Sequence, residues 1–208
     1  MSQNFDQGHQ SFGFPRYTYR YTSNQSGRNF NTQLQGIGWD GVEVAEHVIQ
    51  VDAGVELTSG TQTGAFPTGT PPIIVENHGT IRGTNGSGDN GLSMGHDTIS
   101  YNTDGNYWGG GGAGGSGGGG TYRPGDGETG CNPPAPCSGG ASGNPGGYGD
   151  AGNPGSPGAC PGPGGGCPGP SPSAGNPGGA AGKAIALNGH THVFVGGSSS
   201  PNVEGAVS

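Results

Sequence analysis

Basic residues are scarce in this 208-residue chain: Arg16, Arg20, Arg28, Arg82, Arg123 and Lys183 are all the Lys and Arg it has. They are scattered from end to end. No basic stripe exists to neutralise a phosphate backbone, so nucleic acid is not an expected partner. Charge of either sign is thin, at 10% of residues, and the formal net charge is -8. Apolar residues are also few, at 27%, and no run approaches the roughly 20 residues that would cross a bilayer. Membrane insertion is not expected. The opening MSQNFDQGHQ lacks the charged-then-apolar pattern of a secretory signal, so lysis or incorporation into a particle is the expected way out of a cell. Catalytic patterns are missing too: no GxSxG, no HExxH, no Walker motif, and no GxGxxG between strand and helix. Glu43 and Glu46 are a close pair of acids, most simply a solvated face. No enzymatic activity and no cofactor are expected.

What fills the space is glycine, with 52 residues, and proline, with 18. Low hydrophobicity with low charge is not the usual composition of a disordered chain. Glycine is concentrated in 105–182, which holds "GGGGAGGSGGGG" (109–120) and three copies of GNP, starting at Gly143, Gly152 and Gly175. From Gly143 to Gly158, every third residue is glycine for six triplets. A collagen triple helix tolerates no break in that period, and the period fails at Pro161. A flexible linker fits the composition but not the phased prolines. A third arrangement is many three-residue-per-turn helices packed side by side in one chain, each bonding its outward N–H and C=O groups to a neighbour.

The rest reads as a mainly β fold with irregular stretches. Residues 1–30 are expected to be an extended arm, because Phe12, Phe14, Tyr17, Tyr19 and Tyr21 alternate with polar residues. Their aromatic face serves either docking or packing on the chain's own domain. Residues 31–104 are expected to form a small β attachment domain of four or five short strands. Within it "NFNTQLQGIGWDG" is a helix candidate, "HVIQVDAGVEL" alternates as a strand, and "PPIIVENHGTIRG" places strands around an Asn-His-Gly turn. "GTNGSGDNG" (83–91) is a break. After the glycine bundle of 105–182, residues 183–208 resume β-type sequence.

Three groups of side chains are candidates for function. Cys131, Cys137, Cys160 and Cys167 are even in number, lack the CxxC spacing of a zinc site, and suggest disulfides in an extracellular setting. Local bonds, Cys131–Cys137 and Cys160–Cys167, are the favoured pairing, because they would leave the six-triplet run as an unbroken helical segment. A nested pairing, Cys137–Cys160 and Cys131–Cys167, would need a chain reversal near Tyr148. Tyr107, Trp108, Tyr122 and Tyr148, with the loop residues Asn132, Pro133, Pro134 and Pro136, are candidate receptor contacts, since a glycine lattice has no room for rings inside it. They could equally cap the bundle ends. His190 and His192, in "GHTH", could share a strand face and a metal, or be two surface histidines.

The succession "RNFNTQLQGIGWDG", "PPIIVENHGTIRG", a glycine block, "GGAAGKAIALNG" and "VEGAVS" resembles the glycine-rich adhesins at bacteriophage tail-fibre tips, of the T-even long-tail-fibre type. The resemblance spans residues 28–208, the glycine block by style rather than by alignment. It implies a β attachment domain and a bundle of polyglycine-II helices whose end loops recognise a host outer-membrane protein or surface glycan. It also implies other tail proteins as partners and a place in the virion tail. The cysteines and the high proline content depart from the family pattern. The alternative reading is a structural fibre or tail component, collagen-like or shaft-type, that does not touch the host. An ice-binding protein of the same helix type would need a flat Thr/Ala face and an unbroken period, and this chain has neither.

Overall fold

The computed structural model describes residues 13–101, 105–117, 140–158, 174–195 and 203–208. Thirteen short strands are described: β1 Arg16–Tyr21, β2 Gln25–Ser26, β3 Glu46–Val51, β4 Glu56–Thr58, β5 Thr61–Gln62, β6 Ile73–Asn77 and β7 Thr80–Arg82, then β8 Leu92–Ser93, β9 Thr98–Tyr101, β10 Asn106–Trp108, β11 Ile185–Ala186, β12 His192–Val195 and β13 Val203–Glu204. Every strand pairing among them is parallel. No two consecutive strands pair with each other. The orders are β1-β3-β6-β9-β12, β13-β10-β7-β4-β2 and β11-β8-β5. The chain therefore winds as a three-sided parallel β-solenoid of five rungs, visiting the first, second and third sheet in turn.

Isolated bridges complete the third side of the first and last rungs, Asn29 to Gln62 and Ile185 to Val207. The rungs are held in register by side chains stacked in rows on the inner faces. Tyr19, Ile49, Val75, Ser100 and Phe194 follow one another up the first sheet. Leu57, Ile81, Tyr107 and Val203 do so up the second. Leu92 and Ile185 sit above Thr61 in the third. Burying each large aliphatic side chain is worth about 1.5–3 kcal/mol, and a slip of one residue would turn each inner row outward.

The helix α1, Phe30–Gly36, interrupts the first turn of the solenoid. Asn29 caps it by accepting from the Thr32 N–H, and Phe30 and Leu34, four residues apart, bury one face. It ends at the Gly-Ile-Gly of 36–38, where Gly38 takes a positive φ of 110°. α1 packs against β1, and with Tyr21 and Trp39 it covers the core at the first rung. The expected arm is thus in part a strand: Tyr17, Tyr19 and Tyr21 point into the core, as the period-two pattern allows. Glu46, expected in a solvated face, is almost buried at 5% exposure.

Candidate functional site

The glycine block occupies one corner of the solenoid. Between the second and third sheets the second rung uses two residues, Ser59 and Gly60. The third rung uses residues 83–91 at the same corner, and the fourth uses 109–184. The fifth returns to two residues, Gly205 and Ala206, before the Val207 bridge. The block is therefore one enlarged corner, and the solenoid closes again after it.

Its root stands on the enlarged corner of the rung before. Asn85 accepts from the Gly111 N–H and Asn90 from the Lys183 N–H. The Asp89 carbonyl accepts from Gly110, and Gly86 and Gly88 both donate to the Gly111 carbonyl. Ser59 holds the Asp89 carboxylate at 2.9 Å. Residues 83–91, which read as a break in the sequence, are the socket of the block. Three Asn/Asp residues among glycines is a composition suited to such a role, since short side chains can bond neighbouring backbone.

Four segments without regular secondary structure are described in the block: 109–117, 140–147, 150–158 and 174–182. They bond to one another through backbone groups at intervals of three residues. Gly143, Gly146 and Gly149 donate to Gly115, Gly112 and Gly109, so 140–147 runs antiparallel to 109–117. Gly112 and Gly115 donate to Asp150 and Asn153, so 150–158 runs parallel to it. Asn176, Gly179 and Gly182 donate to Ser116, Ala113 and Gly110, an antiparallel set again. Segment 150–158 also bonds to its other two neighbours, through Asn153 to Asn144 and Gly152 to Gly179.

This arrangement explains the two glycine patterns. In segment 109–117 two positions in each triplet face the backbone of neighbouring segments. A β-carbon on Gly114 would collide with the Gly143 carbonyl, and one on Gly115 with that of Asn176. Only Ala113 and Ser116 are left outside, and both are exposed. Segments 140–147 and 150–158 keep one glycine per triplet, and their Asn, Pro, Ser and Ala residues lie outside. In each GNP copy the Asn carbonyl accepts a cross-segment bond: Asn144 from Asn153, Asn153 from Gly115, Asn176 from Gly155. The proline that follows is exposed and has no N–H to lose.

The block has two unlike ends. At the near end, residues 147–150 turn the chain back, with Gly149 at a φ of 72°. The six-triplet run from Gly143 is thus folded in two at Tyr148, and the unbroken helical segment expected there is not formed. At the far end the four segments adjoin: a β-carbon on Gly117 would meet Gly140, one on Gly140 would meet Ser156, and one on Gly175 would meet Gly155. Asn176 beside it bonds Ser116 at 2.6 Å. These residues flank 118–139 and 159–173.

The candidate residues separate accordingly. Tyr107 is not at the surface; it is 0% exposed, in the inner row of the second sheet, with its hydroxyl 2.8 Å from Ser100 Oγ. The alternation Asn106-Tyr107-Trp108 turns the central ring inward while its neighbours face out. Trp108 stacks on Tyr148 with ring centroids 5.0 Å apart and planes at 27°, at the near end of the block. Tyr122, Asn132, Pro133, Pro134 and Pro136 lie outside the described residues, as do Cys131, Cys137, Cys160 and Cys167 and any bond between them.

His190 and His192 are not brought together on a metal-binding face. His192 turns inward on β12, its Nε2 2.9 Å from Ser100 Oγ and its ring against Phe194 and Tyr107. Burial lowers its pKa to about 4. His190 lies before the strand, in the turn after Asn188, 3.8 Å from Asp97. The Thr191 N–H on the Asp97 carboxylate holds that group below the usual carboxylate range. Among the described residues no group of three or more His, Cys, Asp or Glu is placed to hold a metal ion.

No protein-family model and no curated protein sequence matches this chain. Among solved structures, the chain is similar to one from the gp37-gp38 adhesin tip complex of the bacteriophage S16 long tail fibre. The TM-score is 0.44 and the identity 18%, over 92% of this chain and 82% of that one.

Proposed function

We propose that this protein is a non-enzymatic tail-fibre-tip adhesin of a bacteriophage. The solenoid attaches it to another tail protein, and the glycine block carries recognition segments to a host-surface receptor, an outer-membrane protein or a glycan. One observation carries the reading: the described residues that flank 118–139 and 159–173 lie at the far end of the block, away from the solenoid. We further propose that the block is a polyglycine-II bundle, on the strength of its three-residue bonding interval and its buried glycines. Such a scaffold is stiff without a hydrophobic core, which suits a chain that is only 27% hydrophobic. Recognition then falls to Tyr122, Asn132, Pro133, Pro134 and Pro136, with the four cysteines as staples between the two segments.

The sequence resemblance to phage adhesins supports the same reading. A collagen-like shaft is less favoured, because one chain meets the bonding needs of its own glycine segments and requires no two further strands in register.

Replacing 118–139 by a Gly/Ser stretch of equal length tests the function. Binding of the purified protein to bacterial outer-membrane vesicles should be lost, with the melting temperature of the solenoid unchanged. Full retention of vesicle binding would favour the purely structural reading.

A further inference from the structure

Tyr148 lies at the crossing between block and solenoid. It is the residue at the reversal of the six-triplet run, yet it belongs to no recognition segment. Its ring stacks on Trp108, and the guanidinium carbon of Arg82 lies 5.4 Å from the ring centre. Arg82 and Trp108 are register neighbours on the outer face of the second sheet. Arg82 is fixed in turn by Glu56, whose Oε2 accepts from Nε at 3.2 Å and from an Nη at 2.9 Å. Beside the ring, Gly149 donates to the Gly109 carbonyl, and Gly109 donates to Glu204. A β-carbon on Gly149 would meet the backbone of Glu204 and Gly205. The turn 147–150 is thus seated on three successive rungs, through Arg82, Trp108 and Glu204–Gly205.

We propose that Tyr148 is the clasp that fixes the direction of the glycine block relative to the solenoid. The root of the block at 109–111 and 182–183 is bonded to the socket at 83–91, and without a second contact the block could still pivot about that line. A contact off that axis removes the hinge freedom. Tyr148 supplies it with an aromatic ring that has two rotatable bonds and little entropy to lose, held by stacking and by a cation over its face. Aiming matters if the far end of the block meets a receptor, so the use of the clasp rests on the adhesin reading, though its existence does not.

The test is amide exchange on the full-length protein carrying Tyr148→Ala or Tyr148→Phe. Tyr148→Ala should speed exchange at Gly149 and Gly109 by tenfold or more. Gly115 and Gly155 within the block, and Ile49 and Val75 in the solenoid, should keep their protection. Tyr148→Phe keeps the ring and should match the parent protein throughout. Unchanged exchange at Gly149 and Gly109 in the Ala variant would overturn the proposal. So would acceleration spread equally over block and solenoid, which would make Tyr148 a residue of general stability. Vesicle binding measured on the same variants separates the two readings: a loosened joint with undiminished binding leaves the clasp standing and counts against the receptor-directed role of the block.

Discussion

Gly109 and Gly182 lie back to back at the root of the glycine block, so close that a β-carbon on Gly109 would strike the Gly182 carbonyl. The two ends of a long insertion therefore meet where a two-residue corner would span the gap in other rungs. Chains tolerate excision at such sites, because no core contact is cut. Deleting 111–180 and joining the ends with two or three glycines should leave the solenoid folded. The expected outcome is near-parental protection of Ile49, Val75 and Leu92 in amide exchange; their loss would mean that the block is needed to fold the rungs.

Side chains inside the block should be costly in a position-dependent way. Gly143→Ala or Gly155→Ala places a methyl against neighbouring carbonyls and should destabilise the block locally by about 1–3 kcal/mol, as overpacking does elsewhere. Pro154→Ala and Ala113→Ser, at exposed positions, should change little. Local opening energies from amide exchange at Gly115 and Asn153 distinguish the two classes.

One buried and one half-buried histidine predict a fall in stability towards acid. His47 is fully buried against Trp39 and Phe66, with no hydrogen-bond partner for either nitrogen among the described residues. Burial, and after it the nearby His96, lowers its pKa from 6.5 to about 4; His192 is lowered to about 4 by burial alone. Both are neutral in the folded chain at a pH where the unfolded chain already binds protons. Their contribution is complete above pH 6.5 and is lost as the pH falls towards 4, by up to about 1.4 kcal/mol per pH unit for each. Melting temperatures across that window should decline, and His47→Leu should make the decline shallower. An unaltered slope in that variant would remove His47 from the account.

The cysteines carry a prediction from the register beside them. Asn153 donates to Asn144 and Ser156 to Ala141, an antiparallel pairing that advances by three residues on each side. Were that pace to continue outward, position 137 would stand opposite 160. The expected bonds are Cys137–Cys160 and Cys131–Cys167, rather than the local pairs that an unbroken run would have favoured. Non-reducing peptide mapping decides between them: a peptide pair joining Cys131 to Cys137 would refute the nested scheme, and four alkylated thiols would refute both.

Much of the local structure is legible in the residues, and the winding is not. The helix at Phe30–Gly36 follows from Asn29 and the Phe30/Leu34 spacing, and the strands at Glu46–Val51 and Ile73–Asn77 follow from their aliphatic content. The solenoid is hidden because its rungs differ in length and share few residue types. His47, Thr98 and His192 fall into one inner row with no common chemistry. Corners of 2, 9 and 76 residues between the second and third sheets erase any fixed period that a repeat search would use. Tyr107 was misplaced for a related reason: the glycines that follow it suggest exposure, while its strand partners Ile81 and Val203 draw it inward. The socket at 83–91 has no apolar residue to announce it, since its work is done by Asn85, Asn90 and backbone.

The bonding interval of three has a genetic corollary. A codon gained or lost within 140–147 would rotate every later glycine of that segment away from its neighbour and drive Asn or Pro side chains into backbone. Three codons together restore the phase, and matched changes on 150–158 restore the antiparallel partner as well. Surviving length variants of this block should therefore differ in steps of nine nucleotides, whereas the socket at 83–91 is under no such arithmetic and can drift residue by residue.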